Sequence, residues 1–197
     1  MHDKKEWTPY TMSLFFPTSD EKRFEKDGIY SSTWSFIFRA LDKSIIRVLR
    51  GSFAMDPEFK INEAKYEIVS LDEQDIPDFS SPINFKTRSP LIILSPEHSE
   101  DGKDAIGPEN DYYEDVFIEK MQKFYNMYHE TDKEFKVDLE IKDYERKGVR
   151  VSKKGFALPA YELEGRLDAP QELLEFCYLG GFGAKTALGL GCWDVVK

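Results

Sequence analysis

Gly180-Gly181-Phe182-Gly183-Ala184-Lys185-Thr186-Ala187-Leu188-Gly189-Leu190-Gly191 is the stretch on which the fold turns. From Gly181 it reads glycine, apolar residue, glycine, five residues, then glycine, apolar residue, glycine, with a lysine inside the span. Glycines let another group approach the backbone N–H closely, and Lys185 adds a positive charge, so the pattern suits a phosphate. It is not a Walker loop, because no Gly-Lys-Ser/Thr follows a four-residue gap, and it is not a dinucleotide fingerprint. That fingerprint needs a strand before it and a helix after it. Here a short helix, with Pro170 in its first turn, runs to about Leu179, and a strand over Leu188–Val196 follows.

Working outward from that segment, the second half of the chain predicts six elements. Ser89–Ser95, with Leu91-Ile92-Ile93-Leu94, reads as a buried strand. Asp111–Glu130 reads as a helix with Val116, Met121, Phe124 and Tyr128 on its apolar stripe. Phe135–Tyr144 alternates as a strand, a basic turn follows, and Val149–Val151 with Phe156–Leu167 gives extended chain. The terminal helix and strand complete strand–helix–strand–strand–helix–strand, the ferredoxin-like unit. The first half predicts strands over Thr8–Phe16 and Ile29–Ala40, a helix from Asp42 through Ala54, and a strand over Phe59–Leu71. That is the same unit without its opening strand and helix, which leaves a sheet edge and an apolar patch to be covered. The proline-bearing stretch Asp72–Pro82 reads as a connector. The expected class is therefore α+β, two tandem ferredoxin-like (RRM-like) domains over residues 1–82 and 83–197, the first incomplete.

Composition agrees with a folded protein. The chain has 197 residues, 41% of them hydrophobic and 14% aromatic, enough to bury a core without disulfides. Its net charge of −10 argues against a protein that holds nucleic acid by bulk charge. The acidity is uneven: residues 1–50 carry +2, 51–100 carry −6, 101–150 carry −5 and 151–197 carry −1. A local basic groove thus remains compatible with the total. Lys43, Arg47 and Arg50 share one helical face. Lys142, Arg146, Lys147, Arg150, Lys153 and Lys154 form a second basic cluster, and either cluster alone would read as a solvated face. Trp34, Phe36 and Phe38 offer base-stacking surface but are expected in the core, as are Tyr112, Tyr113, Phe124 and Tyr128 on their helix. The two cysteines, Cys177 and Cys192, and three scattered histidines lack the spacing of a metal site, so no metal or other cofactor is expected. Reduced thiols, no signal peptide and no apolar run of ~20 residues predict a cytoplasmic protein with no membrane contact.

Four segments together resemble the CRISPR-associated endoribonucleases of the sixth Cas family, within the RAMP superfamily. Tyr10-Thr11-Met12-Ser13-Leu14-Phe15 is similar to that family's aromatic-Thr-x-Ser strand. Phe53-Ala54-Met55-Asp56-Pro57-Glu58-Phe59 is similar to its helix-to-strand junction, and Phe85-Lys86-Thr87-Arg88-Ser89-Pro90 to its Thr-x-Ser-Pro segment. Glu172–Gly191 is similar to its terminal helix and glycine-rich loop.

The resemblance implies two ferredoxin-like domains and metal-independent cutting of precursor CRISPR RNA, in which a ribose 2′-OH attacks the adjacent phosphate. Such a step needs a proton acceptor, a proton donor and a nearby cation. On the family pattern His2 takes the position of the catalytic histidine, with Lys5 beside it as a substitute cation. CRISPR repeat RNA is the implied partner; effector-complex subunits and a second copy of the chain are further candidates. Lys185 is expected to meet phosphate, and Gly181, Gly183, Gly189 and Gly191 to admit RNA backbone, because a turn alone does not require four glycines. Arg47, Arg50, Arg146, Lys147 and Arg150 are expected as further phosphate contacts. The family's opening strand and helix are missing from the pattern, which implies a shortened chain with impaired cutting. A non-catalytic RNA-binding or scaffold subunit of the same superfamily is the competing expectation.

Overall fold

The computed structural model describes residues 8–21, 23–25, 28–61, 64–95, 105–150 and 157–196. In chain order its first half holds β1 (Tyr10–Met12), β2 (Phe16–Pro17), β3 (Arg23–Glu25), β4 (Gly28–Tyr30), β5 (Trp34–Ser35), β6 (Phe38–Ala40), α1 (Lys43–Met55), β7 (Glu58–Ile61) and β8 (Ala64–Glu67). The second half holds β9 (Ile83–Thr87), β10 (Ile93–Leu94), β11 (Ala105–Ile106), α2 (Tyr113–His129), β12 (Asp138–Val149), β13 (Leu158–Asp168), α3 (Gln171–Gly180) and β14 (Trp193–Val196).

In the second half, β12, β13, β9 and β14 lie side by side in that order, all pairs antiparallel. Numbered along the ferredoxin unit this is strand order 2-3-1-4, with α2 and α3 as the two crossovers. Both helices cover one face. Ile83, Phe85, Leu163 and Leu167 point into that face, and Phe117, Met121, Phe124, Leu173, Leu174 and Cys177 pack on it from the helices. The other face is wet: along β9 and β13, Asn84, Lys86, Glu164 and Arg166 are exposed.

Sequence reading misplaced the first strand of this unit. The central strand is Ile83–Thr87, whose strict in–out alternation lies against the expected connector, and not Ser89–Ser95. Leu91–Leu94 is fully buried, but among the described residues Ile93–Leu94 pairs with Ala105–Ile106 in a separate two-stranded ribbon, and the segment touches β13 through a single bridge, Leu91 to Tyr161. A short all-apolar run reports burial and not sheet membership, so the periodic but weaker pattern was passed over. The expected basic turn is no turn. β12 runs unbroken through Arg146 and Lys147 to Val149, with a bulge between Ile141 and Asp143. The final strand is shorter than expected, because Thr186–Leu188 forms a 3-10 turn.

The first half follows the expected order of hairpin, helix and strand. The hairpin is long and interrupted: β1 pairs with β6, β2 with β5 and β3 with β4. The strands expected over Thr8–Phe16 and Ile29–Ala40 are each broken accordingly, and Phe59–Leu71 folds back on itself as β7 and β8. Asp42 caps α1, its carboxylate accepting from the Ser44 N–H at 2.8 Å. Packing here is shallow. No residue of α1 is buried; Ile45, Ile46, Leu49 and Phe53 are half-buried, and Met55 is 90% exposed. Trp34, Phe36 and Phe38 are likewise half-buried and not core. A chain of rings, Phe53, Phe59, Tyr66, Phe15 and Phe36, runs through this half.

Candidate functional site

Three of the four quoted segments meet in space. The glycine-rich segment leaves α3 at Gly181 and returns to the sheet at β14. On the way it lies between β1 and the turn that follows β9. On the β1 side, the Thr11 hydroxyl donates to the Leu190 carbonyl at 3.3 Å and the Thr8 and Thr186 hydroxyls meet at 2.9 Å. On the other side, the Gly191 N–H donates to the Pro90 carbonyl at 3.0 Å and the Cys192 N–H to the Ser89 hydroxyl at 3.1 Å. Thr11, Ser13, Thr87 and Ser89 are all buried, and each hydroxyl serves a main-chain group. That accounts for the hydroxyl residues in both motifs: they satisfy buried main-chain groups, Thr11 across to the glycine-rich segment and the other three within their own half. Along β1 and the two residues after it, Thr11 and Ser13 face inward while Leu14 is 43% exposed, the reverse of an apolar-in strand.

Backbone geometry gives the four glycines a reason of their own beside the expected contact with RNA. Gly181, Gly183, Gly189 and Gly191 are all buried with φ between 70° and 85°, a region that favours glycine. A Cβ on Gly181 would come within 2.7 Å of the Thr11 hydroxyl, and one on Gly191 would overlap the Phe182 carbonyl oxygen. The turn itself therefore requires them. Three of the four glycine amides are engaged within the protein. The N–H groups of Gly181, Phe182, Ala184, Leu188, Gly189 and Gly191 donate to carbonyls within the protein.

What the segment does present is its crest. Lys185 is half-buried, Leu188 is 52% exposed, and the 3-10 turn Thr186–Leu188 lies between them. Lys185 holds φ 65° and ψ 30°, a left-handed conformation that costs a residue with a Cβ roughly 1–2 kcal/mol. A side chain kept where glycine would be easier fits a role for the ammonium group.

The remaining candidates are spread over both halves. Arg47 and Arg50 are exposed on α1, Arg50 paired with Glu73 at 2.8 Å. Arg146 and Arg150 are exposed on and just beyond β12. Lys147 points to the opposite face from Arg146 and is held by Glu145 at 2.5 Å and Glu162 at 3.5 Å, which raises its pKa. The structure thus divides the second cluster between two faces of a strand. His2 and Lys5 lie outside the described residues, as do Lys153 and Lys154. Among the described residues, no three His, Cys, Asp or Glu side chains gather as metal ligands, and no helix is long and apolar enough to cross a membrane.

Sequence reasoning missed Arg39. It is 7% exposed and reaches from β6 across to β14. One guanidinium nitrogen donates to the Trp193 carbonyl at 2.6 Å and to Cys192 Sγ at 3.4 Å; the other donates to Asp194 at 2.6 Å. The guanidinium also lies 3.8 Å over the Tyr178 ring. The second carboxylate oxygen of Asp194 accepts from Arg88. Burial alone would push the Asp194 carboxyl up, but the hydrogen bonds from Arg88 and Arg39 outweigh it and hold the group below its ordinary value. The available signal was one charge inside the apolar run Phe36-Ile37-Phe38-Arg39-Ala40-Leu41.

Known proteins share this architecture. The family model described as CRISPR associated protein Cas6, C-terminal, matches residues 72–195. A CRISPR-associated endoribonuclease-like protein Cas6 of Pyrococcus furiosus is 24% identical over 177 residues, covering 86% of this chain and 70% of that protein. A solved structure described as CRISPR associated protein Cas6 superposes with a TM-score of 0.85 at 18% identity, over 96% of this chain and 79% of the other. Another, described as an RAMP protein binding different RNA substrates, gives 0.82 at 19% identity, over 96% and 81%. These likenesses carry the tandem ferredoxin-like fold across the first half as well as the second. With well over half of its length matched by the family model, the chain belongs to the Cas6 family of CRISPR-associated endoribonucleases.

Proposed function

We propose that this chain is a metal-independent endoribonuclease that cuts precursor CRISPR RNA within its repeats, by attack of a ribose 2′-OH on the adjacent phosphate. The observation that carries the reading is the contact of Thr8 with Thr186, next to Lys185 at the glycine-rich crest. Five residues lie between His2 and Thr8, so the chain joining them spans at most about 22 Å. In this reading His2 exchanges the proton, Lys5 and Lys185 offset the developing charge, and the buried glycines hold the crest in shape. Arg47, Arg50, Arg146, Lys147 and Arg150 supply phosphate contacts that position the RNA. Residues 1–82 form the first unit and 83–197 the second, and the protein works in the cytoplasm, where Cys177 and Cys192 stay reduced.

The test is a single-turnover reaction with end-labelled repeat RNA in EDTA. The expected products are a cyclic phosphate and a 5′-OH, and His2→Ala is expected to slow cutting by at least about 100-fold. Full-speed cutting by His2→Ala removes His2 from the mechanism. The second reading, an RNA-binding subunit that does not cut, is favoured by one fact. The one histidine among the described residues, His129, sits in a ring cluster with Tyr125 and Phe176 at the end of α2. Salt-dependent binding with no product in EDTA or in magnesium would decide for it.

A further inference from the structure

The basic residues assigned to RNA lie on both halves of the chain: Arg47 and Arg50 on α1, Arg146 and Arg150 at β12. Two separate sets of cations act as one site only if they are held at a fixed spacing. Held so, the second set meets the RNA at a high effective concentration once the first has engaged; released, each binds with its own weak affinity. What fixes the spacing is then a functional question, and it rests on the RNA-binding reading above.

We infer that Arg39 is the positioning residue that clasps the first-half hairpin to the C-terminal strand, and so sets the relative placement of the two basic sets. Three observations point there. First, the contacts of its guanidinium run across the joint: to the Trp193 carbonyl, to Cys192 Sγ, to Asp194 and to the face of Tyr178. All four partners belong to α3, β14 or the residue just before β14. Second, the direction is fixed. A planar guanidinium bonded along two edges and stacked on a ring resists both sliding and rotation, which an apolar contact does not. Third, little else in the first half is buried. Among its described residues Ala40, Phe79, Thr11 and Ser13 are the others buried, the Thr11 hydroxyl bonds across the joint, and α1 buries none. Asp194 completes the device. Its two oxygens serve one arginine each, the buried Arg39 from the first half and the exposed Arg88 from the second. The carboxylate thus stays anchored to its own sheet while it holds the other half.

The test uses the full chain and three variants. Arg39→Met keeps the volume and removes the charge; Asp194 retains Arg88, so no carboxylate is left unpaired and the fold is expected to survive. Arg39→Lys keeps the charge and loses the fork. Arg88→Ala removes the exposed arm and leaves the clasp. Small-angle scattering reads the spacing of the halves, and fluorescence anisotropy with labelled single-stranded CRISPR repeat RNA reads affinity at several salt concentrations. For Arg39→Met we expect unchanged helix content, a broader distance distribution, RNA binding weakened by about tenfold or more, and a shallower dependence of log affinity on log salt, since fewer phosphates are held at once. Arg39→Lys is expected between Arg39→Met and the parent, and Arg88→Ala to scatter as the parent does. Parent-like scattering by Arg39→Met overturns the clasp, and so does an RNA affinity that falls with no change in salt slope. Should Arg39→Met fail to fold, Arg39→Lys decides alone, and parent-like scattering from it overturns the inference. A parent chain that binds no RNA sinks the RNA-binding reading, while scattering still decides the clasp.

Discussion

Gly191 and Lys185 have similar backbone angles and opposite reasons for them. Gly191 stands against the Phe182 carbonyl, so Gly191→Ala meets both a left-handed backbone and an overlap with main chain. We expect it to destabilise the protein by at least about 2 kcal/mol, read as a fall in the urea midpoint. Lys185→Gly relieves a left-handed conformation, although glycine's extra freedom in the unfolded chain offsets part of the gain. It is expected to leave stability unchanged or raised by less than about 1 kcal/mol. RNA binding is expected to weaken, with the salt slope reduced by about one. A Lys185→Gly chain that binds RNA as the parent does would show that the crest ammonium touches no phosphate. Asp194 gives a pH signature of definite sign. Its carboxyl is held below the ordinary value in the folded state, so its contribution is fully present above the unfolded pKa of about 3.9 and is lost as pH falls through the folded value. Urea midpoints measured downward from pH 6 are expected to drop more steeply for the parent than for Asp194→Asn.

At the scale of elements, β12 and β13 form the longest pairing in the molecule's described residues, and β12 is one of the sheet's two outer strands. Arg146 and Arg150 lie exposed along that strand and just beyond it, while Lys147 is already engaged by two glutamates. Replacing Arg146 and Arg150 together by alanine is expected to lower RNA affinity and salt slope with little effect on stability. Lys147→Ala is expected to change binding least of the three, measured by anisotropy at two salt concentrations. The helices were legible because capping and 3.6-residue periodicity are local: Asp42 before α1 and Pro170 before α3 mark starts without reference to the rest of the fold. Strand order was legible only once the elements were counted. Strand identity failed where tertiary context decides. Leu91–Leu94 is buried throughout while Ile83–Thr87 exposes Asn84 and Lys86, so depth of burial points to the wrong segment and only pairing partners tell the central strand from the insert. The site was legible as a place, because three motifs converge there. Its working was not legible, since sequence cannot say whether a glycine serves a visitor or the protein's own backbone. Arg39 left a visible trace, one charge in an apolar run, whose meaning depends on Asp194, 155 positions away.

Across the whole molecule, burial is lopsided. The main core and its smaller satellite lie in the second half, apart from Phe79 and a partial contribution by Leu41. Local opening free energy follows buried apolar contact, so the first half is expected to open more easily than the second. In native-state hydrogen exchange, amides of β9 and β13 are expected to exchange only through global unfolding, and those of β7, β8 and α1 through smaller openings. Uniform protection across both halves would contradict this. Because Cys192 is sealed beneath Arg39 and Cys177 lies in the main core, the chain carries its own pair of chemical clocks. A thiol reagent that consumes Cys192 well ahead of Cys177 would time the parting of the halves separately from the melting of the second, with no label added and no residue changed.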